Sequence, residues 1–281
     1  MLVPKELLER SDYTPVTRSR LADALVRSGI RHGGVVMAHV RLSALGWMVG
    51  GMDSVVLALR DAVGEDGTLM AFTGWEDSPY HVAGWPDRWQ AAYRDQPPFD
   101  PEISAARREF GRWPERLRTW PGAQRSGHPE VSFCAWGPAA ADLLEDPADD
   151  PWGVDGPLGR LVAAGGQVIM IGAPLRTLTL CHHAEAIANV DGRRYHEYDC
   201  PVRLPDGTTA WRHYRTMDTF FGSLPYWDRD DLTINSPVGT LAQQAVAAGA
   251  IAESTIDDCT LSLVDAPAAV TAAATWIEQN F

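Results

Sequence analysis

Short apolar runs alternate with amphipathic stretches along most of the chain. Thr17 to Ser28 places Leu21, Ala24, Leu25 and Ser28 on one face of a helix. Gly33-Gly34 leads into the apolar run Val35 to Val40, the pattern of a buried strand. A polar-poor connection, Arg41 to Gly51, precedes a helix from about Asp53 to Val63, and Asp66-Gly67 turns the chain into a second strand, Thr68 to Phe72. Strand, helix and strand at this spacing predict a parallel crossover unit. From Thr73 to Pro129 the pattern weakens, and Trp75, Trp85, Trp89, Trp113 and Trp120 are interleaved with prolines. A loop of that length in a compact protein serves as a lid or a wall of a binding site. Short helices are expected within it at Asp87 to Arg94 and Ser104 to Thr119.

Regularity returns with a strand at Val131 to Ala135 and a helix at Pro138 to Glu145. An acidic turn through Asp146, Asp149 and Asp150 and a helix at Pro157 to Ala164 follow. The stretch Gly165 to Val190 holds a short apolar run, Val168 to Ile171, bounded by Gly166 and Gly172. It closes in good helix formers, with Thr177 or Thr179 placed to cap the start. Tyr198 to Arg203 and Thr209 to Tyr214 flank Pro205-Asp206-Gly207, a hairpin signal. A helix near Val238 to Ala248, a strand at Cys259 to Val264 and a helix from Pro267 to Gln279 complete the chain. With no internal repeat or linker, these elements predict one α/β domain over residues 1–281, with residues 73–129 forming the cleft loop region. Its central sheet is expected to be mainly parallel or mixed and flanked by helices, with a small β or helical annex.

Composition narrows the class. Apolar residues make up 45% and charged residues 22%, the balance of a globular chain. There is no signal-peptide core and no apolar run near the roughly 20 residues that span a bilayer, so a cytoplasmic location is expected. Cys134, Cys181, Cys200 and Cys259 are widely spaced, which suits small buried side chains better than disulfides or a cysteine zinc site. The net charge of −13 disfavours nucleic acid and anionic membrane as partners. The same charge would attract a polycationic substrate, and it also serves solubility.

Candidate chemistry centres on the helix after Ile171. His182 and Glu185 are three apart and share a face, where the carboxylate can hold the imidazole in one tautomer as a general base requires; an ordinary surface pair has the same spacing. His182 and His183 are adjacent and point to different sides, which disfavours a shared metal. Cys181 and His182 are adjacent as well, which disfavours a thiol–imidazole dyad. The Gly-rich connection Leu42 to Gly51 enters a helix start whose backbone N–H groups suit an anion, or it is a plain turn in which Asp53 caps the helix. Arg125-Ser126-Gly127-His128-Pro129 serves either as an anion site or as a polar loop. Glu76-Asp77, Asp100 and Asp218 are available to ammonium groups or are solvated carboxylates.

Taken together, three stretches resemble the aminoglycoside 3-N-acetyltransferase family. They are His39-Val40-Arg41-Leu42-Ser43-Ala44-Leu45-Gly46-Trp47-Met48-Val49-Gly50-Gly51, then Arg118-Thr119-Trp120-Pro121-Gly122 with Arg125-Ser126-Gly127-His128-Pro129, and Leu180-Cys181-His182-His183-Ala184-Glu185. Pro97-Pro98-Phe99-Asp100-Pro101, Gly156-Pro157-Leu158-Gly159-Arg160-Leu161 and the closing Trp276-Ile277-Glu278 extend the likeness over nearly the whole chain. Two departures stand out: Val40 and Arg41 replace the small hydroxyl residues usual after the first histidine, and Ser104-Ala105 replaces a Thr-Pro.

The resemblance implies an acetyl-coenzyme A-dependent enzyme with a fold unlike that of the common N-acetyltransferases, acting without a metal. It implies that Leu42, Ser43, Ala44, Leu45, Gly46, Gly50 and Gly51 hold coenzyme A, with Thr73 and Ser126 close by. His182 carries over as general base and Glu185 as its orienting partner. Glu76, Asp77, Asp100 and Asp218 carry over as contacts to a cationic aminoglycoside, acetylated at the 3-amino group of its 2-deoxystreptamine ring by direct transfer, giving antibiotic resistance. Three other readings remain open at this stage: an acetyltransferase of another small amine, a metal-dependent hydrolase using His182, His183 and Glu185, and a protein that sequesters the drug without chemistry.

Overall fold

The computed structural model describes residue 3 and residues 5–145, 150–220, 222–225 and 237–281; the expected turn positions Asp146 and Asp149 lie outside them. In chain order come α1 (Lys5–Leu8), α2 (Arg18–Arg27), β1 (Val35–Val40), α3 (Gly51–Val63), β2 (Thr68–Phe72), α4 (Asp87–Tyr93) and α5 (Arg112–Arg118). Then follow β3 (Gln124–Arg125), β4 (Phe133–Trp136), α6 (Ala140–Leu144), α7 (Pro157–Ala163), β5 (Gln167–Ile171) and α8 (Leu180–Ile187). The hairpin β6 (Tyr195–Arg203) and β7 (Thr209–Met217), then α9 (Pro237–Ala247), β8 (Ile251–Ile256), β9 (Cys259–Asp265) and α10 (Ala266–Asn280) complete it.

Seven strands form one sheet in the order β3-β4-β2-β1-β5-β9-β8. The middle is parallel: β1 pairs with β2 through Val36↔Leu69 and with β5 through Ala38↔Ile169. Both flanks are antiparallel, with β4 on β2 and β9 on β5, so the sheet is mixed. The period-2 alternation of a strand divides its side chains between two cores. Val36, Ala38, Val40, Leu69, Ala71, Ile169 and Ile171 pack with Leu21, Leu25, Val55 and Leu59 of α2 and α3. Met37, Met70, Val168 and Met170 face the other way, onto Leu158, Leu161, Ala184, Leu241 and Val270 of α7 to α10.

The hairpin forms a separate two-stranded sheet. It is tied to the long segment through Phe99, whose N–H donates to Pro201 O at 2.8 Å and whose O accepts from the Arg203 N–H at 2.8 Å. Trp75, Tyr80, Phe99, Tyr198, Cys200 and Val202 form its own small core.

Three local expectations need correction. The helix expected at Ser104 to Thr119 is a 3-10 turn, Arg108–Phe110, followed by α5, because Gly111 at φ +83° cannot continue a right-handed helix. Asp53 does not cap α3: the cap position is Gly50 at φ +77°, and Asp53 Oδ1 accepts from Arg116 Nε at 2.5 Å. Neither threonine hydroxyl caps α8: Thr179 occupies the cap position without a side-chain hydrogen bond, and the Thr177 hydroxyl donates to Pro174 O at 2.7 Å.

Candidate active site

The parallel strands β1, β2 and β5 share a direction, so their carboxyl ends lie together. The chain leaves β1 for β2 on one side and later returns to β5 on the other, which opens a crevice between their exits. A cleft of about 790 Å³ occupies that position. Its walls include His39 to Leu42 at the end of β1, Phe72 at the end of β2, and Ala173, Pro174, Arg176, Thr177 and Thr179 after β5. Arg107 and Glu109 to Pro114 come from the long segment, with Trp152, Thr219 and Phe220 opposite. The weakly patterned segment therefore supplies one wall.

His182 lines this cleft from the first turn of α8. Leu180, Cys181, His183, Ala184 and Glu185 are buried on the body of the protein, which turns His182 outward. Its Nδ1 lies 2.6 Å from Glu185 Oε2, and Ser223 Oγ donates to Glu185 Oε1 at 2.7 Å. The Glu185 side chain is 0% exposed and that of His182 14%, so the pair is a half-sheltered site and not a surface contact. An ionised carboxylate only accepts hydrogen bonds, so Nδ1 carries the proton and Nε2 is left with a free lone pair. Arg193 holds the far end of the helix by donating to the carbonyl oxygens of Glu185 at 3.1 Å and Ala188 at 2.6 Å. The Trp152 ring lies 5.1 Å from the His182 ring, tilted by 58°, and walls one side of it.

The neighbours of His182 have other tasks. His183 Nδ1 lies 2.8 Å from Trp152 O in a buried setting, and burial lowers its pKa. Cys181 is buried with its Sγ 3.8 Å from Val238 O; burial and then the Glu185 charge push its thiol pKa up, away from thiolate. Among the described residues no group of three or more His, Cys, Asp or Glu side chains is placed to hold a metal ion.

The glycine-rich connection is a 3-10 turn, Leu42–Leu45, that reaches α3 through Gly46 at φ +66° and Gly50. Of its predicted cofactor contacts Leu42 lines the cleft; Ser43, Ala44, Leu45, Gly46, Gly50 and Gly51 are outside its lining, with Ser43, Gly46 and Gly50 exposed and Leu45 buried. Ala44 packs on Gly172, where the space a Cβ would need is already filled. Thr73 is fully buried and its hydroxyl donates to Ser132 O at 2.8 Å, while Ser126 Oγ accepts from the Phe133 N–H at 3.0 Å. Both hydroxyls are therefore committed inside the wall. Arg125 stitches the long segment, donating to the Ser104 and Gly74 carbonyl oxygens and, at 3.1 Å, to Ser132 Oγ. That is the polar-loop alternative; burial lowers its pKa to about 10.

The four predicted carboxylates also lie off the cleft lining. Glu76 accepts from the Arg108 backbone N–H and Nε, both at 2.7 Å. Asp77 is exposed. Asp100 Oδ1 accepts from the Glu102 N–H at 3.0 Å, with Oδ2 3.9 Å from Arg203 Nε. Asp218 Oδ1 accepts from the Tyr80 hydroxyl and the Phe220 N–H, both at 3.1 Å.

The acids that do line the cleft are Glu109 and Glu130, which flank Arg107 at 3.4 Å and 2.7 Å. Neither was singled out in the sequence, where single charges in an unpatterned loop carry no signal. His39 also lines the cleft, with Nε2 buried and without a hydrogen-bond partner, and burial lowers its pKa to about 4. Its ring is therefore neutral at physiological pH.

The profile of the aminoglycoside 3-N-acetyltransferase family matches residues 37–278. The chain belongs to this family. It is 47% identical over 279 residues to the aminoglycoside N(3)-acetyltransferase VIII of Streptomyces fradiae, covering 98% of this chain and 96% of that one. The crystal structure of aminoglycoside acetyltransferase AAC(3)-Xa superposes with a TM-score of 0.90 at 43% identity, covering 98% of this chain and 96% of that one. The structure of AAC-IIIb in binary complex with CoASH superposes at 0.84 and 36% identity, covering 95% and 97%. The architecture is thus that of the aminoglycoside 3-N-acetyltransferases and not that of the common N-acetyltransferases. Membership makes the protein an acyltransferase. No helix among the described residues is long and apolar enough to cross a membrane.

Proposed function

We propose that the protein transfers the acetyl group of acetyl-coenzyme A to the 3-amino group of the 2-deoxystreptamine ring of an aminoglycoside, in one direct step, and so confers resistance to the antibiotic in the cytoplasm. The observation that carries this reading is the His182–Glu185 pair, its nitrogens separated in role, at the wall of the cleft of about 790 Å³. Family membership supplies the reaction class, and the CoASH complex of AAC-IIIb supports the donor. A volume of about 790 Å³ suits two substrates bound together in part, which proximity catalysis needs.

An aminoglycoside amine is largely protonated at neutral pH and must lose a proton before it attacks a carbonyl. Nε2 of His182 accepts that proton, directly or through one water. The Glu185 carboxylate holds the ring by Nδ1 and stabilises the positive charge as it forms. As the C–N bond forms and the C–S bond breaks, the proton on Nε2 passes to the departing sulfur, and the second proton that the nitrogen sheds on becoming an amide goes to solvent. Leu42 and the turn behind it shape the donor side, and Thr73 and Ser126 keep that wall rigid from within. Glu109 and Glu130 offer carboxylates to the ammonium groups of the acceptor, with Asp218 behind Phe220; Glu76, Asp77 and Asp100 act at most on the outer path of approach.

Incubation with acetyl-coenzyme A and a kanamycin- or gentamicin-type acceptor, followed by mass spectrometry and NMR, tests this. A single acetyl group on the 3-amino nitrogen is expected. Acetylation elsewhere, or drug binding without consumption of the donor, would replace the reading by that of another amine acetyltransferase or of a drug-sequestering protein.

A further inference from the structure

As an amine attacks a thioester, the carbonyl oxygen gains negative charge, and the His182–Glu185 pair, occupied with the proton, leaves that oxygen without a donor. Thr179 immediately precedes α8, lines the cleft and is 8% exposed, and among the described residues its hydroxyl makes no hydrogen bond. A threonine at a helix start ordinarily has an extended backbone and turns its oxygen back to a free N–H of the first turn. Thr179 is already helical, at φ −54° and ψ −26°, and its side chain does not take up that task. A hydroxyl this buried is costly to leave without a partner, and a bound carbonyl group supplies one. Of the other hydroxyls in the lining, that of Thr177 donates to Pro174 O at 2.7 Å, and Thr219 follows β7 on an element that His182 does not share.

We infer that the Thr179 hydroxyl is the oxyanion donor of the acyl transfer, donating to the thioester carbonyl oxygen as the tetrahedral species forms. The inference rests on the reading of His182 as the base that receives the amine proton, and it adds the group that receives the opposite charge. Thr179 and His182 are three apart, and the His182 N–H donates to Thr179 O at 3.0 Å, so one turn of helix fixes their relation. Side chains at that spacing share a face with Cβ atoms about 5–6 Å apart. The attacking nitrogen stands within hydrogen-bond reach of Nε2 and about 3–3.5 Å from the carbonyl carbon, which brings the carbonyl oxygen into the range of the hydroxyl one turn back. The developing charge then lies at the amino end of α8, where the helix dipole also favours it. The bookkeeping is simple: the C=O electron pair moves to oxygen, Thr179 lends a hydrogen bond without giving up its proton, and the pair returns as the C–S bond breaks and sulfur takes the proton from Nε2.

Thr179→Val keeps the shape and removes the hydroxyl, and Thr179→Ser keeps the hydroxyl. Thiol-detected turnover with acetyl-coenzyme A should show kcat lower by about a hundredfold in Thr179→Val, the order lost with one oxyanion donor, while both KM values and the thermal midpoint stay close to wild type. Thr179→Ser should recover most of that rate. The decisive comparison places Thr179→Val on His182→Ala and follows single-turnover transfer. A donor that acts on the carbonyl oxygen works without the base, so the double variant should be at least about tenfold slower than His182→Ala alone. Equal rates for those two proteins would overturn the assignment, since Thr179 would then act only by positioning the ring. A kcat for Thr179→Val within a few fold of wild type, an equal loss in Thr179→Ser, or a loss confined to KM would overturn it as well, and each would leave the transfer reaction intact. Wild-type turnover by His182→Ala together with a slow Thr179→Val would instead remove the base and leave the oxyanion donor standing.

Discussion

Glu185→Gln removes one charge from the pair at nearly constant shape. In the wild type the carboxylate is fully buried, 2.6 Å from Nδ1 of His182, so its charge acts on the ring through protein and not through water. Taking the charge centres about 4 Å apart at an effective dielectric near 20, a full positive charge on the ring is stabilised by about 4 kcal/mol. With the proton about half transferred in the transition state, about 2 kcal/mol of that reaches kcat, a factor near thirty. The amide keeps the tautomer when its oxygen faces Nδ1 and its NH2 group donates to Ser223 Oγ; in the opposite orientation the proton moves to Nε2 and the loss grows to several hundredfold. Steady-state release of coenzyme A, read with a thiol reagent, should show kcat reduced thirtyfold or more with both KM values within about twofold. Glu185→Asp, which retains the charge and shortens the reach, should recover part of the loss. An unchanged kcat in a folded Glu185→Gln protein would refute the orienting and charge-stabilising role.

Two further outcomes follow from groups near the cleft. Cys181→Ala should leave turnover within about twofold and show no change in pre-steady-state release of coenzyme A without acceptor, because a buried thiol with a raised pKa supplies no nucleophile; loss of a burst in that variant would contradict direct transfer. His128 is buried, its Nδ1 accepts the Val131 N–H at 2.9 Å, and burial lowers its pKa to about 3. The unfolded ring takes up a proton near 6.5 and the folded ring does not, so stability is lost as pH falls below 6.5 toward 3, by about 2 kcal/mol at pH 5. His128→Asn, whose amide oxygen accepts the same N–H, should remove that part of the loss in urea melts at pH 7.5 and pH 5, while equal slopes for both proteins would contradict the assignment.

The sheet was legible where side chains alternate or run continuously apolar: Val35–Val40, Thr68–Phe72 and Val168 to Ile171 are buried on both faces, and burial on both faces leaves a mark in composition. β8, Ile251–Ile256, was missed because it is an edge strand with one buried residue, and its Ala252-Glu253-Ser254 carries no period. His182 and Glu185 were legible because one helical turn fixes their relation locally. The rest of the cleft was not, since Arg112, Glu130 and Arg176 meet only through the sheet order and the path of a segment without periodicity. The glycine-rich turn is notable for its backbone: Gly46 lies against the Tyr13 hydroxyl and Gly50 opens α3, while Leu42 and the preceding Arg41 are what reach the cleft.

The central claim is that one imidazole removes the proton from the attacking amine. Single-turnover transfer by His182→Ala, with coenzyme A binding measured calorimetrically on the same preparation, tests it most directly. The account predicts a rate lower by about a thousandfold, within the span general-base catalysis supplies, with donor affinity unchanged. Transfer within a few fold of wild type by the folded variant would contradict it.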